Sequence, residues 1–93
     1  MSVTVLVPGV LRGDADNLPR LELGVHGTLA DVMADITTQW PRLSRRICDE
    51  QGALRTFVNV YVDGEDVRTR DGLETPVRES STVILLPAMA GGC

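Results

Sequence analysis

Two runs of strand-forming residues stand at opposite ends of the chain, and they restrict its fold more than any other feature. In Ser2–Val7, the residues Val3, Val5 and Val7 alternate with Ser2, Thr4 and Leu6, the period of two that a β-strand requires. Thr82–Leu86 is a continuous apolar run of the length expected for a buried strand. Prolines follow both, at Pro8 and Pro87, and proline cannot extend a central ladder. As the two continuous apolar strands, both are expected at the centre of a sheet. Paired with each other they run parallel, which requires a crossover in the chain between them. The length of 93 residues allows one domain and one core, since domains commonly hold about 100–150 residues.

The crossover contains one strong helical pattern. Leu29, Val32, Met33, Ile36 and Trp40 fall on one face at helical spacing, and Asp31, Asp35, Thr38 and Gln39 on the other. This stripe predicts core packing. Thr28 is placed to cap the first turn, Asp31 lies near the positive end of the helix dipole, and Pro41 stops the helix at Trp40. Before the helix, Arg12–Asn17 reads as a polar turn. Leu21, Leu23 and Val25 then alternate with Arg20, Glu22 and Gly24 as a second strand, antiparallel to the first. After the helix, Pro41–Arg55 is less regular, with Leu43 and Ile47 on a short helical turn and a loop at Gly52. Phe57–Val62 alternates as a strand, Asp63-Gly64 signals a hairpin turn, and Glu65–Arg68 is the short return strand. Leu73–Pro76 reads as an irregular turn. The expected fold class is α+β: a mixed sheet with one main helix, in the order of a β-grasp. The domain is expected over residues 1–87, and residues 88–93, small except for Met89, as a flexible C-terminal tail.

Composition excludes several function classes. Thirteen acidic residues against nine basic ones, all arginine, give a net charge of −4. With three aromatic residues, the chain lacks the basic stripe and stacking rings of a nucleic-acid binder. One histidine and two cysteines fall short of a four-ligand zinc site and of a disulfide scaffold. No apolar run approaches the roughly 20 residues that span a bilayer. The opening residues carry no secretory signal pattern, so the expected location is cytoplasmic with reduced thiols.

The tail, Pro87-Ala88-Met89-Ala90-Gly91-Gly92-Cys93, has a distinctive chemistry. Two glycines make a thin thread with wide backbone freedom, able to enter a narrow channel of another enzyme while the body stays outside. By composition alone it reads rather as an ordinary disordered chain end. Phe57-Val58-Asn59-Val60-Tyr61-Val62-Asp63-Gly64-Glu65-Asp66-Val67-Arg68, Gly72-Leu73-Glu74-Thr75-Pro76-Val77, and Ser81 through Gly92 resemble the MoaD/ThiS family of ubiquitin-like sulfur carriers. Within it they are most similar to the branch serving cysteine biosynthesis. The Val-Thr-Val opening and the Thr28-Leu29 helix start extend the resemblance over nearly the whole chain, and the family resemblance reverses the balance for the tail.

That resemblance implies a ubiquitin-like fold and a non-catalytic role as protein substrate and sulfur donor, with no bound cofactor. An E1-like enzyme uses ATP to adenylate the terminal glycine carboxylate, and a sulfur source displaces AMP to leave a glycyl thiocarboxylate. The implied acyl carrier is Gly92, with Gly91 keeping the thread thin. The acceptor is an aminoacrylate held on pyridoxal phosphate in a cysteine synthase. The thioester formed rearranges to an amide, and a zinc metallopeptidase of the JAMM type releases cysteine. Carriers for molybdopterin, thiamin or a sulfur-containing natural product share the same chemistry, and an interaction module with an inert tail shares only the fold.

Cys93 departs from the family's Gly-Gly ending and blocks the Gly92 carboxylate. It is either an encoded extension that a peptidase removes, or the cysteine of a carrier–cysteine adduct, and both give the same peptide bond. Other candidates have bland readings. Cys48 reads as a small half-buried residue whose pKa Arg45 and Arg46 could lower. His26 reads as a surface turn residue without a second ligand, and Arg42, Arg45 and Arg46 as a solvated face able to meet an acidic partner. Asp63, Glu65 and Asp66 fit a hairpin turn better than a calcium loop. The absence of lysine leaves no side-chain amine for isopeptide conjugation.

Overall fold

The computed structural model describes residues 2–24 and 27–87. Its strands and helices are β1 (Val3–Leu6), β2 (Arg20–Leu23), β3 (Gly27–Thr28), α1 (Leu29–Gln39), α2 (Pro41–Ile47), β4 (Val58–Val62), β5 (Glu65–Asp66), β6 (Pro76–Val77) and β7 (Thr82–Pro87). The two terminal strands pair as their apolar character predicts. The main sheet has the order β2-β1-β7-β4-β5. Strand β1 runs parallel to β7 with Val5 opposite Val83, while β2 and β4 flank them antiparallel. The last strand therefore occupies the middle of the sheet.

Alternation along these strands builds one core. Val3, Val5, Leu21, Leu23, Val58, Val60, Val62, Val83 and Leu85 are buried together with Leu29, Val32, Met33 and Ile36 of α1. Burial of each such side chain contributes about 1.5–3 kcal/mol before entropy is counted. Helix α1 begins with a reciprocal capping box: the Asp31 N–H donates to Thr28 Oγ1 at 3.4 Å, and the Thr28 N–H donates to Asp31 Oδ2 at 3.0 Å. A Cβ on Gly27 would lie 2.5 Å from Asp31 Oδ2, and Gly27 has φ +135°, so only glycine fits beside this box.

Several segments differ from the sequence reading. Arg12–Asn17 is no simple polar turn. Gly9–Asp14 forms 3-10 helix, Leu11 and Ala15 are buried, and Arg12 Nε donates to the Val7 carbonyl at 3.0 Å. Asp16 and Asn17 sit in the left-handed region at φ 55° and 60°, which short polar side chains tolerate. Pro41 ends α1 and also starts α2, being pre-shaped for a first helical position. Leu43 and Ile47 are buried there as expected, and the Thr37 and Ser44 hydroxyls join α1 to α2 at 2.7 Å. The Asp63-Gly64 turn has φ 51° and 87°, the paired positive values of a type I′ hairpin. Its return strand is only Glu65–Asp66, because Val67 turns into the core. Pro76–Val77, read as irregular or unassigned, pairs with Gly27–Thr28 in a second small sheet. Two-residue strands carry no periodicity to detect.

Candidate functional site

Strand β7 connects the core to the tail, and its register sets what surrounds the point of exit. Val58 pairs with Pro87, and Leu6 pairs with Ile84. The exit therefore lies where β1 ends and β4 begins. The outward positions of β1, β7 and β4 place Leu6, Ile84 and Tyr61 side by side, with Leu86 opposite Asn59. Leu6 is 36% exposed and Leu86 44% exposed. One face of the sheet thus presents an apolar strip leading to Pro87.

Two open grooves flank that exit. One, of about 400 Å³, is lined by Leu6, Ile84 and Leu86 with Arg12 and Arg20 among the polar residues. The other, of about 460 Å³, is lined by Val10, Phe57, Val58 and Pro87 with Arg45, Arg46 and Arg55. Phe57 is 55% exposed and Val10 56% exposed. Four of the five large exposed hydrophobic side chains among the described residues therefore gather at this end. Sequence patterning marked Phe57 only as a strand residue and Val10 not at all. The missing signal was adjacency to Pro87, which depends on the β4–β7 register.

The residues singled out for chemistry fall into two groups. Gly91, Gly92, Cys93 and His26 lie outside the described residues. Cys48 is 7% exposed and more buried than its half-buried reading. Burial pushes its thiol pKa up, and the Asp49 charge adds to this, while Arg55 opposes it. The nearby guanidinium that matters is thus Arg55, and it does not prevail. Cys48 is a neutral packing residue under ordinary conditions. Asp63 serves the hairpin: its carboxylate accepts from Ser81 Oγ at 2.8 Å and from the Thr82 N–H at 2.9 Å. Among the described residues no group of three His, Cys, Asp or Glu side chains could hold a metal ion, and no helix is long and apolar enough to cross a membrane.

A sheet centred on parallel first and last strands, one main crossover helix and a C-terminal segment issuing from the central strand define a ubiquitin-like β-grasp protein. Comparison with known proteins narrows the class. The chain belongs to the ThiS family, whose sequence pattern matches residues 13–92 and so reaches Gly92. It is 37% identical over 94 aligned residues to the sulfur carrier protein CysO of Mycobacterium tuberculosis, with 99% of this chain and all 100% of that protein covered. The crystal structure of M. tuberculosis CysO matches with a TM-score of 0.83 at 35% identity, covering 92% of this chain and 98% of that one. A chain of the Amycolatopsis orientalis BexX/CysO complex matches with a TM-score of 0.85 at 34% identity, covering 92% and 94%.

Proposed function

We propose that the protein is a sulfur carrier that holds sulfur as a thiocarboxylate on Gly92, and that it serves cysteine biosynthesis. The observation that carries this reading is the match of the ThiS family pattern through Gly92, on a chain whose central strand ends at Pro87 beside an exposed apolar strip. Similarity to CysO over 99% of the chain supports the carrier role. The relative found in a complex with BexX supports a body held by a partner protein while the tail is handled.

The chemistry belongs to partner enzymes and needs only a carboxylate at the end of a narrow thread. A carboxylate resists displacement because its oxygen leaves poorly. Attack of the Gly92 carboxylate on ATP expels pyrophosphate and leaves an acyl adenylate. Sulfide, or a protein persulfide with later reductive release, attacks the carbonyl carbon; the C–O bond to AMP breaks, and AMP departs with the electron pair. Glycine at positions 91 and 92 keeps side-chain bulk out of the channel. Cys93 must be removed before the first step, and the Gly92–Cys93 amide is the bond a JAMM-type zinc peptidase hydrolyses. A pyridoxal-phosphate-dependent cysteine synthase is the proposed sulfur acceptor.

Intact-protein mass spectrometry tests this reading. A chain ending at Gly92, incubated with its E1-like enzyme, ATP and a sulfur source, is expected to gain the mass difference between one sulfur and one oxygen atom. The chain ending at Cys93 is expected to stay unchanged until the peptidase acts. Gain of sulfur by the untrimmed chain would overturn the proposed block by Cys93.

A further inference from the structure

We propose that a collar of arginines around the tail exit docks a protein partner whose tail-receiving channel is rimmed by carboxylates. The inference rests on the carrier reading and names the surface chemistry of the partner that reading requires.

Five of the nine arginines line the two grooves beside Pro87: Arg12 and Arg20 in one, Arg45, Arg46 and Arg55 in the other. No aspartate or glutamate lines either groove among the described residues. Among the described residues only Arg46 has a carboxylate partner there, Asp14 at 3.5 Å. Such clustering runs against the chain's net charge of −4, so it is not a by-product of a basic composition. Two of the stems are fixed by the fold. Arg12 Nε donates to the Val7 carbonyl at 3.0 Å, and Arg55 Nε donates to the Arg45 carbonyl at 2.8 Å. Fixing these stems lowers the ordering cost of binding. Their remaining N–H groups, and the whole heads of Arg20 and Arg45, make no side-chain hydrogen bond among the described residues.

At the opposite end of β7 the arginines have acidic neighbours. There Arg70 and Arg78 share a cleft with Asp63 and Glu65, and Arg70 is paired with Glu65. At the tail exit, apart from the Asp14 partner of Arg46, no matching carboxylate lines the grooves among the described residues. Planar guanidinium groups accept carboxylates in two parallel hydrogen bonds. The exposed Val10 and Phe57 share one groove with its arginines, and Leu6 and Leu86 share the other, the combination of apolar and charged groups that protein interfaces use. A surface with few aromatics and a net negative body favours a carboxylate-bearing protein over a nucleic acid.

Arg20 and Arg45 are the positions to change, one on each groove, because neither side chain supports the fold through a hydrogen bond among the described residues. In the activation assay with the chain ending at Gly92, Arg20→Gln with Arg45→Gln is expected to raise KM for the carrier about tenfold with kcat unchanged, and to flatten the dependence of kcat/KM on salt. The Arg20→Lys with Arg45→Lys variant should retain the salt dependence, and Glu79→Gln at the far end should behave as the unsubstituted chain. Thermal unfolding of each variant separates a folding defect from a docking defect. An unchanged KM and salt dependence in a folded Gln variant overturns the collar while leaving the carrier reading intact. Tighter binding of a single-stranded oligonucleotide than of the enzyme, lost in the same variant, overturns it in favour of a nucleic-acid surface. No sulfur gain by the unsubstituted chain overturns both the carrier reading and the collar.

Discussion

The two ends of strand β7 are built in opposite ways. At its start, Asp63 closes the structure by binding Ser81 and Thr82, Ser81 is 4% exposed, and arginines and carboxylates share one cleft. At its finish, large hydrophobic side chains stand in solvent and arginines lie in grooves without a lining carboxylate. Carboxylates line the arginine cleft at one end, and at the other, among the described residues, only Arg46 has a carboxylate partner. A small domain has little stability to spare, about 5–15 kcal/mol in all. Exposed apolar area kept at one end of it implies a surface with a use.

The sharpest way to test that contrast is along β7 itself, where neighbouring leucines face opposite sides. Leu85 is fully buried, and Leu85→Ala is expected to destabilise the fold by about 2–5 kcal/mol, read by urea denaturation. Leu86 is 44% exposed; Leu86→Ala should alter stability by no more than about 0.5 kcal/mol while raising KM for activation. Equal stability losses at both positions would break the contrast. At the closed end, Asp63→Ala removes acceptors for Ser81 Oγ and the Thr82 N–H and puts alanine at φ 51°. It should cost about 1–3 kcal/mol of stability without changing KM for the folded carrier. Thr28→Ala removes half of the capping box of α1 and should cost about 1 kcal/mol, again without effect on KM.

The smallest effect concerns Cys48. Its folded pKa is raised above the ordinary value of 9.0 by burial first and by Asp49 second. Below that value the thiol is neutral in both states and full stability is present. As pH rises past 9.0, the unfolded thiol ionises while the folded one keeps its proton, so stability falls until the folded thiol also ionises. Cys48→Ala is expected to remove that part of the alkaline loss. Alkylation at pH 8 should be slow for Cys48 in the native protein and fast after unfolding.

The body was legible in the sequence wherever a period was long enough to read. Alternation at Val3, Val5 and Val7, helical spacing from Leu29 to Trp40, and Asp63-Gly64 each mapped onto an observed element. Segments without a period were missed: the 3-10 stretch hiding Leu11, and the pairing of Gly27–Thr28 with Pro76–Val77. Of the proposed site, the tail was visible through the family resemblance of its residues, since by composition alone two glycines after small side chains read as an ordinary chain end. The grooves were not. Arg20, Arg45 and Phe57 stand 25 and 12 residues apart in sequence, and only sheet order and the seating of α2 bring them around Pro87. Arg45 and Arg46 were noticed as cations, but their setting beside the exit depends on tertiary structure alone.

The central claim is that Gly92 carries sulfur on a tail that this fold presents to an activating enzyme. Intact-mass analysis of the chain ending at Gly92, after reaction with its E1-like enzyme, ATP and a sulfur source, tests it most directly. One oxygen replaced by one sulfur at the C-terminus, lost when Gly92 is changed to valine, is the predicted result. An unchanged mass under conditions in which the same enzyme activates another ThiS family carrier would contradict it.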